Sequence, residues 1–99
     1  MEMSKKQIIK LINKLNDVDY DVRKNVENIL IKQDEQSIDP LINALEHENP
    51  EIQLQAAQIL GKIGDKKALD PLLESLRNEN PEFRREVTLA ISKIIDKNP

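Results

Sequence analysis

Apolar residues recur along this chain in alternating short and long stripes, with polar turns between them. In the central stretch Leu41, Ile42 and Leu45 form an i, i+1, i+4 set, and Ile52, Ala56, Ile59, Leu60 and Ile63 form a longer one. Both spacings follow one face of a 3.6-residue helix, and neither alternates as a half-buried strand would. The segment between them, Asn49-Pro50-Glu51, reads as a helix start. Asparagine accepts from the free amides of a first turn, proline has the backbone angle of the first helical position, and a carboxylate suits the positive helix end. Asn80-Pro81-Glu82 repeats this start, and Asp19-Tyr20-Asp21 does so without proline. "GKIGD" (61–65) ends the long central helix, with Gly64 suited to a left-handed cap. Asp39-Pro40 and Asp70-Pro71 fall in or near the first turn of each short helix.

The stripes belong to an internal repeat. Residues 38–65, "IDPLINALEHENPEIQLQAAQILGKIGD", align without a gap on 69–96, "LDPLLESLRNENPEFRREVTLAISKIID", with 11 of 28 positions identical. A more diverged copy, 8–35, aligns on 38–65 at an offset of 30. Ile8, Leu11, Ile12 and Leu15 fall on Ile38, Leu41, Ile42 and Leu45, and Val22, Val26, Ile29 and Leu30 on Ile52, Ala56, Ile59 and Leu60. The repeats run roughly 5–35, 36–65 and 66–97. One helical hairpin cannot bury both of its stripes, whereas three stacked hairpins share a continuous core. The expected fold is therefore all-α: a single domain over 1–99, an α-solenoid of three helical hairpins with about six helices.

The second helix of each unit, "DYDVRKNVENIL" (19–30), "NPEIQLQAAQILGKIGD" (49–65) and "NPEFRREVTLAISKIID" (80–96), resembles the HEAT-like repeat pattern D-x-x-V-R-x-x-A-x-x-A-L-x-x-I-G-D. The resemblance is to the HEAT repeat superfamily, in particular the short repeats of phycobilin lyases, and it covers nearly the whole chain. Asn49 and Asn80 stand where that family favours Asp, Gln53 where it favours Arg, and Ile95 where it favours Gly. The resemblance implies a protein-binding solenoid whose second helices line a concave face. It also implies that the family arginine, here Arg23 and Arg84, ties adjacent repeats together. Some members are lyases or metal enzymes, and others bind nucleic acid.

Composition narrows these readings. Net charge is −3, unevenly spread. Residues 1–33 carry 7 basic and 5 acidic groups, 34–65 carry 1 and 7, and 66–99 carry 7 and 6. An acidic middle works against a continuous phosphate-binding surface, so nucleic acid is not the expected partner. There is no cysteine, which removes thiolate chemistry and suits the cytoplasm. No apolar run approaches a membrane span, and the N-terminus lacks a signal-peptide core.

Candidate chemistry is sparse. His47, the single histidine, lies between Glu46 and Glu48, and the residue four positions on is Glu51, past a proline. Zinc sites on helices need a second histidine one turn away. The repeat places Asn78 and Asp17 at the position of His47, so the stretch reads as a turn. Glu46, Glu48 and Glu51 sit at the same solvent edge, and "GKIGDKK" closes a helix where a phosphate loop must open one. No catalytic, cofactor or metal residues are assigned.

The expected function is a non-catalytic protein- or peptide-binding scaffold. The alternatives are a small lyase-like or metal-dependent enzyme and a nucleic-acid-binding HEAT-like protein. Taking 100° per residue, Leu54 points about 200° from Ile52, away from the core, with Gln58 nearby. The same arc holds Lys24, Glu27 and Ile31 in the first copy and Arg85, Thr88 and Leu89 in the third. These eight residues form the expected partner strip. The acidic middle repeat favours a partner with some basic character. Apolar residues near the two ends (Ile9, Ile12, Ile91, Ile94, Ile95) leave room for end-to-end self-association.

Overall fold

A computed structural model describes all of residues 1–99. It contains six α-helices and no strands: α1 (Lys5–Ile12), α2 (Tyr20–Gln33), α3 (Glu35–Ala44), α4 (Pro50–Ile63), α5 (Leu69–Ser75) and α6 (Pro81–Lys97), with one 3-10 turn at Lys66–Ala68 before α5. The three hairpins are α1–α2, α3–α4 and α5–α6.

The turn chemistry is what the sequence predicts. Asp19, Asn49 and Asn80 each accept a hydrogen bond from the backbone amide two residues on, at 2.8, 2.9 and 3.0 Å, and so cap α2, α4 and α6. Ser4 and Gln7 form a reciprocal capping box at α1. Gly64 ends α4 with φ +77°, and a Cβ there would run into the Lys97 side chain. Asp34, at the equivalent place after α2, also has positive φ (+47°), although it is not glycine. A single residue thus turns the chain from α2 into α3. Pro71 is the third residue of α5, whereas Pro40 lies a full turn inside α3, and is buried.

Aliphatic side chains from all six helices make one core, with Phe83 its only aromatic. Each fully buried Leu or Ile contributes about 1.5–3 kcal/mol relative to exposure. The helices form two layers, α1/α3/α5 and α2/α4/α6, but the junctions between repeats differ. The first junction closes through the first helices, α1 on α3. The second closes through the second helices, α4 on α6, which is the most extensive helix pair of the molecule.

The cause lies in two repeat positions. On α4, Gly61 meets Ala90 of α6 so closely that a Cβ on Gly61 would lie 2.8 Å from the Ala90 Cα. The equivalents at the first junction are Ile31 on α2 and Ile59 on α4. A glycine facing an alanine lets the backbones come close, while two isoleucines keep them apart. Helix separation follows the side chains at the contact in this way. The second hairpin therefore leans away from α2 and onto α6, which opens α3 from α5.

Candidate partner-binding face

The layer of second helices carries all eight residues expected to bind a partner, but they do not form one exposed strip. The row Leu54, Ala57, Gln58, Gly61 on α4 faces α6. Gly61 abuts Ala90, and the Gln58 side chain donates to Glu86 Oε1 at 2.9 Å. Leu54 is consequently buried, not exposed as the helical wheel expects. The reason is that a middle helix has neighbours on two sides, whereas a wheel drawn for one helix has a single inward direction. Of the other seven residues, Glu27 is buried, Ile31 and Gln58 are half-buried, and Lys24, Arg85, Thr88 and Leu89 are exposed. Arg85, Thr88 and Leu89 lie on the side of α6 turned away from α4 and α5 and are exposed.

Between α2 and α4 the stand-off leaves a hollow of about 180 Å³, lined by Tyr20, Arg23, Lys24, Glu27, Gln55, Gln58 and Lys62. On the other side of α4 a second hollow of about 160 Å³ is lined by Gln58, Lys62, Glu86, Leu89, Ala90 and Lys93. Gln58 and Lys62 line both, so the two flank a shared ridge. The floor of the first is an ion-pair triad. Glu27 Oε1 accepts from Lys24 Nζ and Oε2 from Lys62 Nζ, both at 2.8 Å. Burial pushes the Glu27 carboxyl up, but the two lysine hydrogen bonds outweigh it, and the group titrates below the ordinary carboxylate range. The same bond to Glu27 holds the Lys24 ammonium above its usual value. Lys62 was not among the expected strip residues. It lies 35 positions from Glu27, and helical periodicity carries no information at that separation.

Arg23 and Arg84 act within their own repeats. Arg23 Nη1 donates to the Asp17 carbonyl at 2.6 Å and Arg84 Nη1 to the Asn78 carbonyl at 2.9 Å. Each pins the turn preceding its helix, which corrects the expectation that these arginines bridge repeats. Arg23 also lies over the Tyr20 ring, 5.7 Å from its centroid.

His47 has a defined structural role. Its Nδ1 accepts from the Asn49 amide at 3.0 Å, as Asp17 Oδ1 does from Asp19 and Asn78 Oδ1 from Asn80. An accepting Nδ1 leaves the proton on Nε2, which then donates to Asn13 Oδ1 at 2.9 Å. The ring thus forms its own turn and ties it to the end of α1. No three His, Cys, Asp or Glu side chains are grouped to hold a metal ion. At the second junction the equivalents of Asn13 and His47 are Asn43 and Asn78. They line an open cleft of about 560 Å³ between α3 and α5, floored by Ile42, Leu45 and Phe83.

No helix is long and apolar enough to cross a membrane. Among curated proteins no match to the chain is found. A family model described as HEAT repeats matches residues 8–97, which covers all three hairpins and both layers described above. The chain belongs to the HEAT repeat family.

Proposed function

We infer that the protein is a non-catalytic binding scaffold, and that a peptide segment of a partner protein lies across α2, α4 and α6 over the Gln58–Lys62 ridge. HEAT repeats commonly mediate protein interactions. The observation that carries the finer reading is the pair of hollows sharing Gln58 and Lys62. Lys24, Glu27, Gln58 and Leu89 of the expected strip line the hollows, and Tyr20, Gln55 and Lys93 join them.

The charge around the hollows favours acidic side chains on the partner. Arg23, Lys24, Lys62 and Lys93 stand against Glu27 and Glu86. Glu27 is held by two lysines and Glu86 by Gln58, while Lys93 has no ion-pair partner. The acidic groups of 34–65, which led to the expectation of a basic partner, line neither hollow. Asp34, Glu35 and Asp39 sit at or on α3, and Glu46, Glu48 and Asp65 in turns. A cation-rich face attracts carboxylates with a strength that falls as salt rises.

Selection from a random peptide library tests this. The expected winners are rich in Asp and Glu around an apolar anchor, and they lose binding to the doubly substituted K24E/K93E protein and in high salt. Winners rich in Lys and Arg, or binding that ignores both substitutions, would sink the reading.

A further inference from the structure

The same repeat position changes exposure in a regular way along the stack. Ile52 and Phe83, which face the preceding repeat, are each 2% exposed, while their equivalent Val22 is 37% exposed. Ile59 and Ala90 are likewise buried, and Ile29 is 36% exposed. On the opposite side Ile12 is buried, Ile42 half-buried, and Leu73 52% exposed. Each exposed residue is apolar and stands at the repeat position of a residue that is covered in another repeat. The first repeat thus shows the face that receives a preceding hairpin, and the third shows the face that receives a following one. Residues at these same repeat positions meet at the internal junctions, Ile12 beside Ala44 at the first and Gly61 against Ala90 at the second.

We propose that the chain associates head to tail, the α5/α6 face of one copy (Leu73, Thr88) stacking on the α1/α2 face of a second copy (Val22, Asn25, Ile29). Charge complementarity supports a second copy as the occupant. Superposing the α1–α3 junction on the new one brings Asp70 and Glu74 of α5 towards Lys10 and Lys14 of α1. Lys10 and Lys14 are the equivalents of Pro40 and Ala44, which line the α3 side of the first junction. One approach is between like charges, Glu74 towards Asp17. Glu74 is itself paired with Arg77 at 2.9 Å. The interface is heterologous, so each added copy leaves one face of each kind free, and assembly continues into a ring or an open chain.

The test is sedimentation equilibrium of the full chain over a concentration series. Wild-type average mass should climb past that of two chains, and less steeply at high salt. Val22→Glu blocks one face and Leu73→Lys, set against Lys10 and Lys14, blocks the other. Neither residue lines the hollows of the proposed peptide face, so peptide binding by both variants should persist, and the two readings fail separately. Each variant alone should remain a single chain, and an equimolar mixture should form pairs and nothing larger, because each supplies the face the other lacks. A wild type that stays a single chain at every concentration overturns the proposal, as does a Val22→Glu variant that still associates or a mixture that does not pair. Ile29→Lys and Thr88→Lys form a second pair with the same expected outcomes, should circular dichroism show a first-pair variant to have lost helix.

Discussion

Glu27 stands in the first repeat where Ala57 stands in the second, and the exchange replaces a packed methyl group by a buried carboxylate between two lysines. Because its folded form releases the proton more readily than the unfolded chain, whose value is about 4.3, the ion-pair triad stabilises fully above that pH. The contribution is lost as pH falls through the lower folded value. Glu27→Gln should therefore cost about 1–2 kcal/mol at neutral pH, since hydrogen bonds to a charged group are lost while the lysines remain half in water. It should also flatten the fall of stability on acidification below about pH 4.3. Urea denaturation of both proteins at stepped pH measures this, and parallel curves would remove the triad from the account. At this scale the sequence was informative wherever the chemistry is local. The caps at Asp19, Asn49 and Asn80, the Gly64 turn, and the reading of His47 as part of a turn all involve partners within a few residues. The Asn13 and Lys62 partnerships cross repeats, and nothing in the local pattern marks them.

Between elements, the difference between Gly61–Ala90 and Ile31–Ile59 sets which helices touch. A glycine inside a helix costs about 1 kcal/mol relative to alanine, so Gly61→Ala would stabilise an exposed helix. Here the added methyl meets the α6 backbone at 2.8 Å, and backbone cannot swing aside as a side-chain tip can. Overpacking of this kind costs about 1–3 kcal/mol, and the expected net effect is a loss of about 1–2 kcal/mol after the propensity gain. A rise in the urea midpoint would show that α4 and α6 do not meet so closely. The helices themselves were legible from apolar spacing, and the hairpins from the repeat. The unequal junctions were not, because a repeat alignment treats Gly61 and Ile31 as the same position and is silent about how far apart their helices stand. Leu54 was misplaced for a related reason: its exposure depends on α6, a helix from another repeat, and not on the wheel of its own.

For the whole molecule, unequal junctions mean unequal local stability. α4 packs against α2, α3 and α6 and is buried over most of its length, and α6 rests along it. α2 touches its neighbours thinly and leaves Val22 and Ile29 uncovered. Beyond the shared core residues Val26 and Leu30, its side-chain hydrogen bond to α4 is Lys62–Glu27, while the Arg23 bond to the Asp17 carbonyl holds only its own turn. Cooperative units with few buried apolar contacts open at lower free energy than the global transition. Native-state hydrogen exchange should therefore find the amides of Val26–Leu30 opening at lower free energy than those of Ala57–Leu60 and Val87–Ala90, which should exchange only with global unfolding. Glu27→Gln should widen the gap by loosening α2 while leaving α4 and α6 tied together through Gly61 and Ala90. If stacking of a second copy covers Val22 and Ile29, protection in α2 should also rise with protein concentration, and that rise should vanish in Val22→Glu. Equal opening free energies in α2 and α4 would mean that the three hairpins unfold as one unit, and that the wider spacing at the first junction has no energetic consequence.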